Sequence, residues 1–200
     1  GEVADDLCGK SISMPDATTL AISAVSNNDS GSNAGQVRVY EWNGSGWVQK
    51  GLDINPETGD VYSGHSVSMP DPNTLAIGSH NNSNGNGANA GHVRVYAWSG
   101  GVWVQQGADI DGEAGSSSSG YSVSMPAPNA LAIGAPSNDG NGNDAGHVRI
   151  YGTTTTNISE TPLHNLLIYP NPTSGQMTID VSQTHGVLAI SITNAVGNEV

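Results

Sequence analysis

Apolar residues in this chain come in short runs that alternate with polar ones and are cut off by Gly, Pro, Asn or Asp. That period of two with turn punctuation predicts β-strands. Ser11-Ile-Ser-Met-Pro15 leads through a turn to Leu20-Ala-Ile-Ser23, and a loop rich in Asn, Ser and Gly then leads to Gln36-Val-Arg-Val-Tyr40. Trp42-Asn-Gly-Ser-Gly-Trp-Val-Gln49 reads as a turn entering a fourth strand. Long amphipathic helices are hard to find anywhere along the sequence.

The same pattern returns. Ser66-Val-Ser-Met-Pro70 and Ser122-Val-Ser-Met-Pro126 repeat the first motif at spacings of 55 and 56 residues. Leu75-Ala-Ile-Gly78 and Leu131-Ala-Ile-Gly134 follow them, then His92-Val-Arg-Val-Tyr96 and His147-Val-Arg-Ile-Tyr151. Each loop closes on Ala-Gly, at Ala34-Gly35, Ala90-Gly91 and Ala145-Gly146. Self-similarity at this period marks a stacked repeat architecture. Four strands in about 55 residues suit a β-propeller blade better than one rung of a β-helix. A blade packed between two others must bury both faces, which Leu75 and Ile77 on one side and small Ala76 and Gly78 on the other allow. The predicted fold class is all-β: a partial propeller of about three four-stranded blades, then the start of a small Ig-like β-sandwich. The units span residues 1–55, 56–111 and 112–151, a Thr-rich linker covers 152–162, and a second module runs over 163–200.

Leu131-Ala-Ile-Gly-Ala-Pro136, preceded by Ser119-Gly-Tyr-Ser-Val123, resembles the FG-GAP repeat of integrin α-chain propellers and their bacterial relatives. The resemblance covers residues 1–151 and departs from the family at two points. The Phe-Gly element survives only as Gly9-Lys10, Gly64-His65 and Gly120-Tyr121, and the full Gly-Ala-Pro occurs only in the third copy. The family's calcium loop is replaced by Pro126-Ala-Pro-Asn-Ala130 and its equivalents, so that site is not transferred.

Downstream, Leu167-Ile-Tyr-Pro-Asn-Pro-Thr-Ser-Gly175, Met177-Thr-Ile-Asp-Val181 and Ile190-Ser-Ile-Thr-Asn-Ala-Val-Gly197 resemble the C-terminal sorting domain of the type IX secretion system of Bacteroidetes-type bacteria. The signature residues are Tyr169, Pro170, Asn171, Pro172 and Gly175. This resemblance implies a secreted or outer-membrane surface protein whose tail is read by the type IX translocon. Independently of the name, Tyr-Pro-Asn-Pro forbids helix and makes turns.

Composition narrows the partners. Five Lys plus Arg against 18 Asp plus Glu give a formal charge of −13, which repels nucleic acid and anionic lipid. The longest apolar stretch, around Leu166 to Tyr169, is far short of the roughly 20 residues a transmembrane helix needs. Cys8 is the single cysteine and aligns with Ser63 and Ser119. The first residues lack the basic and apolar regions of a signal peptide, and Gly1-Glu2 aligns with Pro56-Glu57 and Gly112-Glu113, so further sequence is expected upstream.

No nucleophile elbow, zinc-protease helix, phosphate loop or Cys-x-x-Cys occurs, and the chain is expected not to be an enzyme. His92 and His147 share a slot with Gln36, which makes them structural. Arg38, Arg94 and Arg149 recur between valines and are expected to pair with carboxylates or carbonyls. Trp42, Trp47, Trp98 and Trp103 are expected to pack between blades, with sugar stacking as the alternative. Calcium has two candidate settings. One is the acidic turn formed by Asp53, Asn55, Glu57 and Asp60 and its counterpart Asp109, Asp111 and Glu113; the other is Asp139 with Asp144 in a single copy. Alternating oxygen ligands suit a hard cation, but Asn, Asp and Gly are equally what tight turns need.

Two functions fit. One is a propeller for adhesion or for binding a glycan or protein outside the cell. The other is the accessory binding propeller of an exported enzyme whose catalytic domain lies upstream. The third unit lacks a counterpart of Trp47 to Gln49 and of Trp103 to Gln105, so its missing strand is expected from upstream. The resemblance to FG-GAP propellers implies a ring near seven blades, and closure of that kind predicts an open arc with exposed edges, prone to associate, for these residues alone.

Overall fold

The computed structural model describes residues 2–57 and 61–152, and the backbone of 167–169 and 178–180. Asp60, most of the Thr-rich linker, Pro170, Asn171, Pro172, Gly175 and most of the expected sandwich lie outside the described residues.

The first sheet has the order β1 (Cys8–Asp16), β2 (Thr19–Ala24), β3 (Val37–Trp42), β4 (Trp47–Gln49), all antiparallel. The second repeats it with β5 (Ser66–Asp71), β6 (Thr74–Ser79), β7 (His92–Ser99) and β8 (Val102–Gln105). The third has β10 (Ser122–Ala127), β11 (Ala130–Ala135) and β12 (His147–Gly152), without a fourth strand among the described residues. Beyond them β13 (Leu167–Tyr169) pairs antiparallel with β14 (Thr178–Asp180). The described residues form no helix, and thus none long and apolar enough to cross a membrane.

The Ser-Met-Pro motif explains a shared irregularity. In every unit the ladder between the first two strands shifts register just after the second serine, at Ser13/Asp16, Ser68/Asp71 and Ser124/Ala127. Proline brings no N–H to the ladder, so a bulge belongs there. Asp16 and Asp71 then close the turn by accepting the N–H of Thr18 and of Asn73, both at 2.7 Å.

One element goes beyond the four strands expected per unit. β9 (Ile110–Asp111) returns along the start of β7, opposing Ile110 to Val93, and Ile54 makes the same bridge to Val37. The isoleucine is the reason: Ile54 and Ile110 are 6% and 5% exposed, each buried beside the valines it pairs with.

Sheets stack face to face. The first seam buries Ala21, Val37, Val39 and Ile54 of the first unit against Val67, Met69, Leu75 and Ile77 of the second. The second seam buries Ala76, Val93, Val95 and Ile110 against Met125, Leu131 and Ile133. β6 therefore faces two neighbours, with Leu75 and Ile77 toward one and Ala76 toward the other, as a strand of period two requires.

Polar groups fix the seams as well. The Oγ of Ser13 accepts the N–H of Met69 at 2.9 Å, and its counterpart Ser68 accepts that of Met125 at 2.9 Å. The N–H of Ser63 donates to the carbonyl of Ala34, and that of Ser119 to Ala90, both at 2.9 Å. The adjoining Gly35 and Gly91 have φ of +85° and +75°, and a Cβ on either would overlap the carbonyl oxygen of Ser63 or Ser119. Only glycine meets both conditions.

Candidate functional site

The acidic turns expected to hold calcium lie between units, and each holds an arginine. Arg38 and Arg94 sit on β3 and β7, opposite Ile22 and Ile77. Asp53 accepts Arg38 Nε at 3.1 Å, Gln36 Nε2 at 3.0 Å and Gln49 Nε2 at 2.6 Å. Asn55 accepts the same Gln36 amide at 3.0 Å. Asp109 takes a fork from Arg94, with Nε at 2.8 Å and a terminal nitrogen at 2.7 Å, plus Gln105 Nε2 at 2.8 Å. Burial raises the Asp109 carboxyl, but these hydrogen bonds and the Arg94 charge hold it below the usual carboxylate range. The glutamates reach the arginine of the following sheet: Glu57 lies 3.2 Å from Arg94, Glu113 is 4.0 Å from Arg149, and Glu2 meets Arg38. Arg149 also donates to the carbonyl of Asp111 at 2.5 Å and to Ser119 Oγ at 3.1 Å.

Three ligand-type side chains do converge: atoms of His92, Asp109 and Asp111 lie within 4.8 Å of one another. Of these, His92 is buried, its Nδ1 lies 3.6 Å from Asp109, and Asp111 accepts Asn84 Nδ2 at 3.0 Å. The Arg94 guanidinium faces this group through Asp109, and that of Arg149 reaches it at the carbonyl of Asp111. Asp139 and Asp144 stay in their own loop, where Asp139 accepts the Asp144 N–H at 2.8 Å and both are exposed. This is turn chemistry.

The tryptophans divide. Trp103 packs on the first seam and donates its Nε1–H to the carbonyl of Lys50 at 3.0 Å, whereas Trp42 and Trp47 meet edge to face and stay about two-fifths exposed. Lys50, 7% exposed, clamps this seam: its Nζ donates to Glu41 at 2.7 Å, to the carbonyl of Pro72 at 2.8 Å and to Asn73 at 2.9 Å, and lies 5.2 Å from the Trp98 ring centroid. Next to it, an open cleft of about 320 Å³ is lined by Leu52, Asp53, Ile54, Asn55, Tyr96 and Trp103, among others.

A ring cluster escaped the sequence reading. His65 and Tyr121 occupy the same position in successive units, the one Lys10 fills in the first, and their rings lie 4.7 Å apart. His80 joins them at 3.9 Å from His65 and 5.3 Å from Tyr121, with Tyr62 behind at 6.3 Å. His65 Nδ1 lies 3.2 Å from the carbonyl of Tyr121. Burial, then the neighbouring His65 and Lys10, pushes His80 down to about 4, and burial lowers His65 too. Both shifts favour the neutral imidazole, and the cluster offers ring faces beside the Lys10 ammonium. Tyr121, 49% exposed, opens it to solvent. The usable signal was the register of the repeats, which aligns Lys10, His65 and Tyr121; His80 has no such signal, because its counterparts are Val25 and Pro136.

Comparison with known proteins adds one match. Residues 167–200 match the family described as the secretion system C-terminal sorting domain. No curated protein matches the chain. The sorting domain supports export by type IX secretion, and the chain is secreted or attached to the cell surface of a Bacteroidetes-type bacterium. Its tail implies an interaction with the type IX machinery.

Proposed function

We propose that the chain is an exported β-propeller protein that binds a glycan or protein ligand outside the cell and does no chemistry on it. In this reading residues 1–151 are three FG-GAP-like blades, 152–162 a linker, and 163–200 an Ig-like sorting module. The observation that carries it is the ring cluster: successive units bring His65 and Tyr121 together at one end of the first strands, with His80 beside both and Tyr121 open to solvent. Aromatic faces bordered by neutral polar tips suit sugar rings and tyrosine-rich or proline-rich protein surfaces.

Type IX export supports an extracellular setting for such a site. The test is a glycan array together with a pull-down from extracellular material, using the full chain and its Tyr121→Ala variant. Binding weakened about tenfold or more by the substitution is expected. Retention of no glycan or protein by the wild-type chain defeats the proposal.

A further inference from the structure

His80 is the member of the ring cluster that the repeats do not supply. Its counterparts are Val25 and Pro136, so a polar imidazole stands where both sister units place an apolar side chain. The Nδ1 of His80 is buried and meets no hydrogen-bond partner among the described residues. A buried polar atom in that state costs stability, which sets His80 apart from a residue chosen for packing. Its neighbour is a second imidazole: the rings of His80 and His65 lie 3.9 Å apart and are tilted by 47°.

His65 is fixed in the form that such a neighbour can use. A carbonyl only accepts, so the 3.2 Å contact to the carbonyl of Tyr121 makes Nδ1 of His65 the protonated nitrogen and leaves the lone pair on Nε2. Donation of one ring N–H to a backbone carbonyl sets the tautomer and orientation of metal-binding imidazoles. The backbone under the ring is held as well. The N–H of His65 donates to the carbonyl of Tyr62 at 3.1 Å, across a turn in which Tyr62 has φ of +58°. Gly64 precedes His65 with φ of +85°, and a Cβ there would overlap Ser23 and Val37. A ring mounted on such a backbone is in place before any ligand arrives.

The donor set selects the cation. No carboxylate completes the pair among the described residues, and two imidazoles suit a first-row transition ion such as Cu2+, Ni2+ or Zn2+ rather than calcium. Burial lowers the proton affinity of both rings, so protons compete weakly for the same lone pairs. The group of His92, Asp109 and Asp111 differs, because the Arg94 fork already occupies Asp109. The Lys10 ammonium beside the two rings is exposed and favours an anion among the remaining ligands.

We propose that the imidazoles of His65 and His80 together bind one first-row transition-metal ion, His65 through its Nε2 lone pair, with the remaining positions open to water or an external ligand. The site needs only the two imidazoles, and it stands whether or not the ring faces bind a glycan or protein.

The experiment titrates Cu2+ and Ni2+ into the full chain in a Cys8→Ser background, which removes the exposed thiol and installs the residue of the sister units. One tight equivalent is expected, with Cu2+ held more tightly than Ni2+. The copper EPR spectrum is expected to show splitting from two imidazole nitrogens. His65→Phe and His80→Val are each expected to weaken binding at least about tenfold and to abolish the two-nitrogen signal. Val is the first unit's own residue at the His80 position, so that variant keeps the fold. His92→Gln, which gives the second unit the residue of the first, is expected to leave affinity within about twofold. A chain that binds neither ion overturns the proposal. Binding that survives His65→Phe or His80→Val unchanged, or that is lost in His92→Gln, also overturns it.

Discussion

Arg94 on β7 and Asp109 in the following acidic turn, 15 residues apart in sequence, form a two-point fork of 2.8 Å and 2.7 Å. Arg94 is 4% exposed, so its charge depends on that carboxylate more than a surface pair would. Replacing Asp109 by Asn leaves a buried guanidinium with less compensation and is expected to cost about 2–4 kcal/mol. Arg94→Met with Asp109→Leu together is expected to recover at least half of this. Denaturant midpoints of the three variants decide it, and a neutral Asp109→Asn contradicts the assignment.

Calcium at the same turns would share oxygen atoms with the arginines. A ligand held only by the folded state raises stability by mass action, here by about 1 kcal/mol or less in the wild type. The gain is expected to grow in Arg94→Ala, which releases Asp109. Thermal melts in millimolar calcium and in chelator that superimpose for both chains exclude calcium from the turns.

Removing a seam serine isolates the polar part of a seam. Ser68→Ala deprives the Met125 N–H of its acceptor beside a 2% exposed side chain and is expected to cost about 1–3 kcal/mol. Ser124→Ala, at the exposed equivalent, is expected to leave stability unchanged within about 0.5 kcal/mol. Equal losses at the two positions contradict a seam-specific role.

His80 links the ring cluster to pH. Its folded value of about 4 lies below the ordinary 6.5, so between those limits the unfolded chain binds more protons and stability falls as the medium acidifies. The contribution is complete above pH 6.5 and lost below about 4. Half-burial limits it to about 1–2 kcal/mol after solvent screening. A His80→Phe variant is expected to show a flatter stability profile over this window; an unchanged slope removes His80 as the cause.

The sorting tail makes an in vivo prediction. In a type IX-competent host, the full chain supplied with an inner-membrane export signal is expected outside the cell, and a version lacking residues 167–200 is expected in the periplasm. Fractionation reads both. Equal release of the two chains contradicts dependence on the tail.

Strand positions and their pairing order were legible because Ser-x-Ser-Met-Pro and Val-Arg-Val-Tyr recur in phase and alternate with period two. The short β9 was not, since a lone isoleucine between acidic residues carries no periodicity; only the shared Ile54 and Ile110 hint at it. The acidic turns read as oxygen donors, which they are, but a pattern of donors does not say which cation answers them, and here a guanidinium encoded 15 residues earlier does. Lys50 was invisible because its counterpart is Gln106 and its acceptors come from two units, Glu41 from its own and Pro72 and Asn73 from the next. The ring cluster depends on His80, whose position holds no aromatic ring in either sister unit.

The serine-to-methionine bond between successive first strands has an evolutionary corollary. It joins the same two atoms at each internal step, at separations of 56 and 57 residues, so the loops in between absorb the length difference while the seam stays in register. A gene of this design tolerates small insertions in residues 26–34, 81–89 and 137–144, and it gains or loses length elsewhere most safely by whole units. Duplication adds one seam and deletion removes one, with every donor still opposite an acceptor. Nearest-neighbour stacking of this kind makes the number of units a freely adjustable trait.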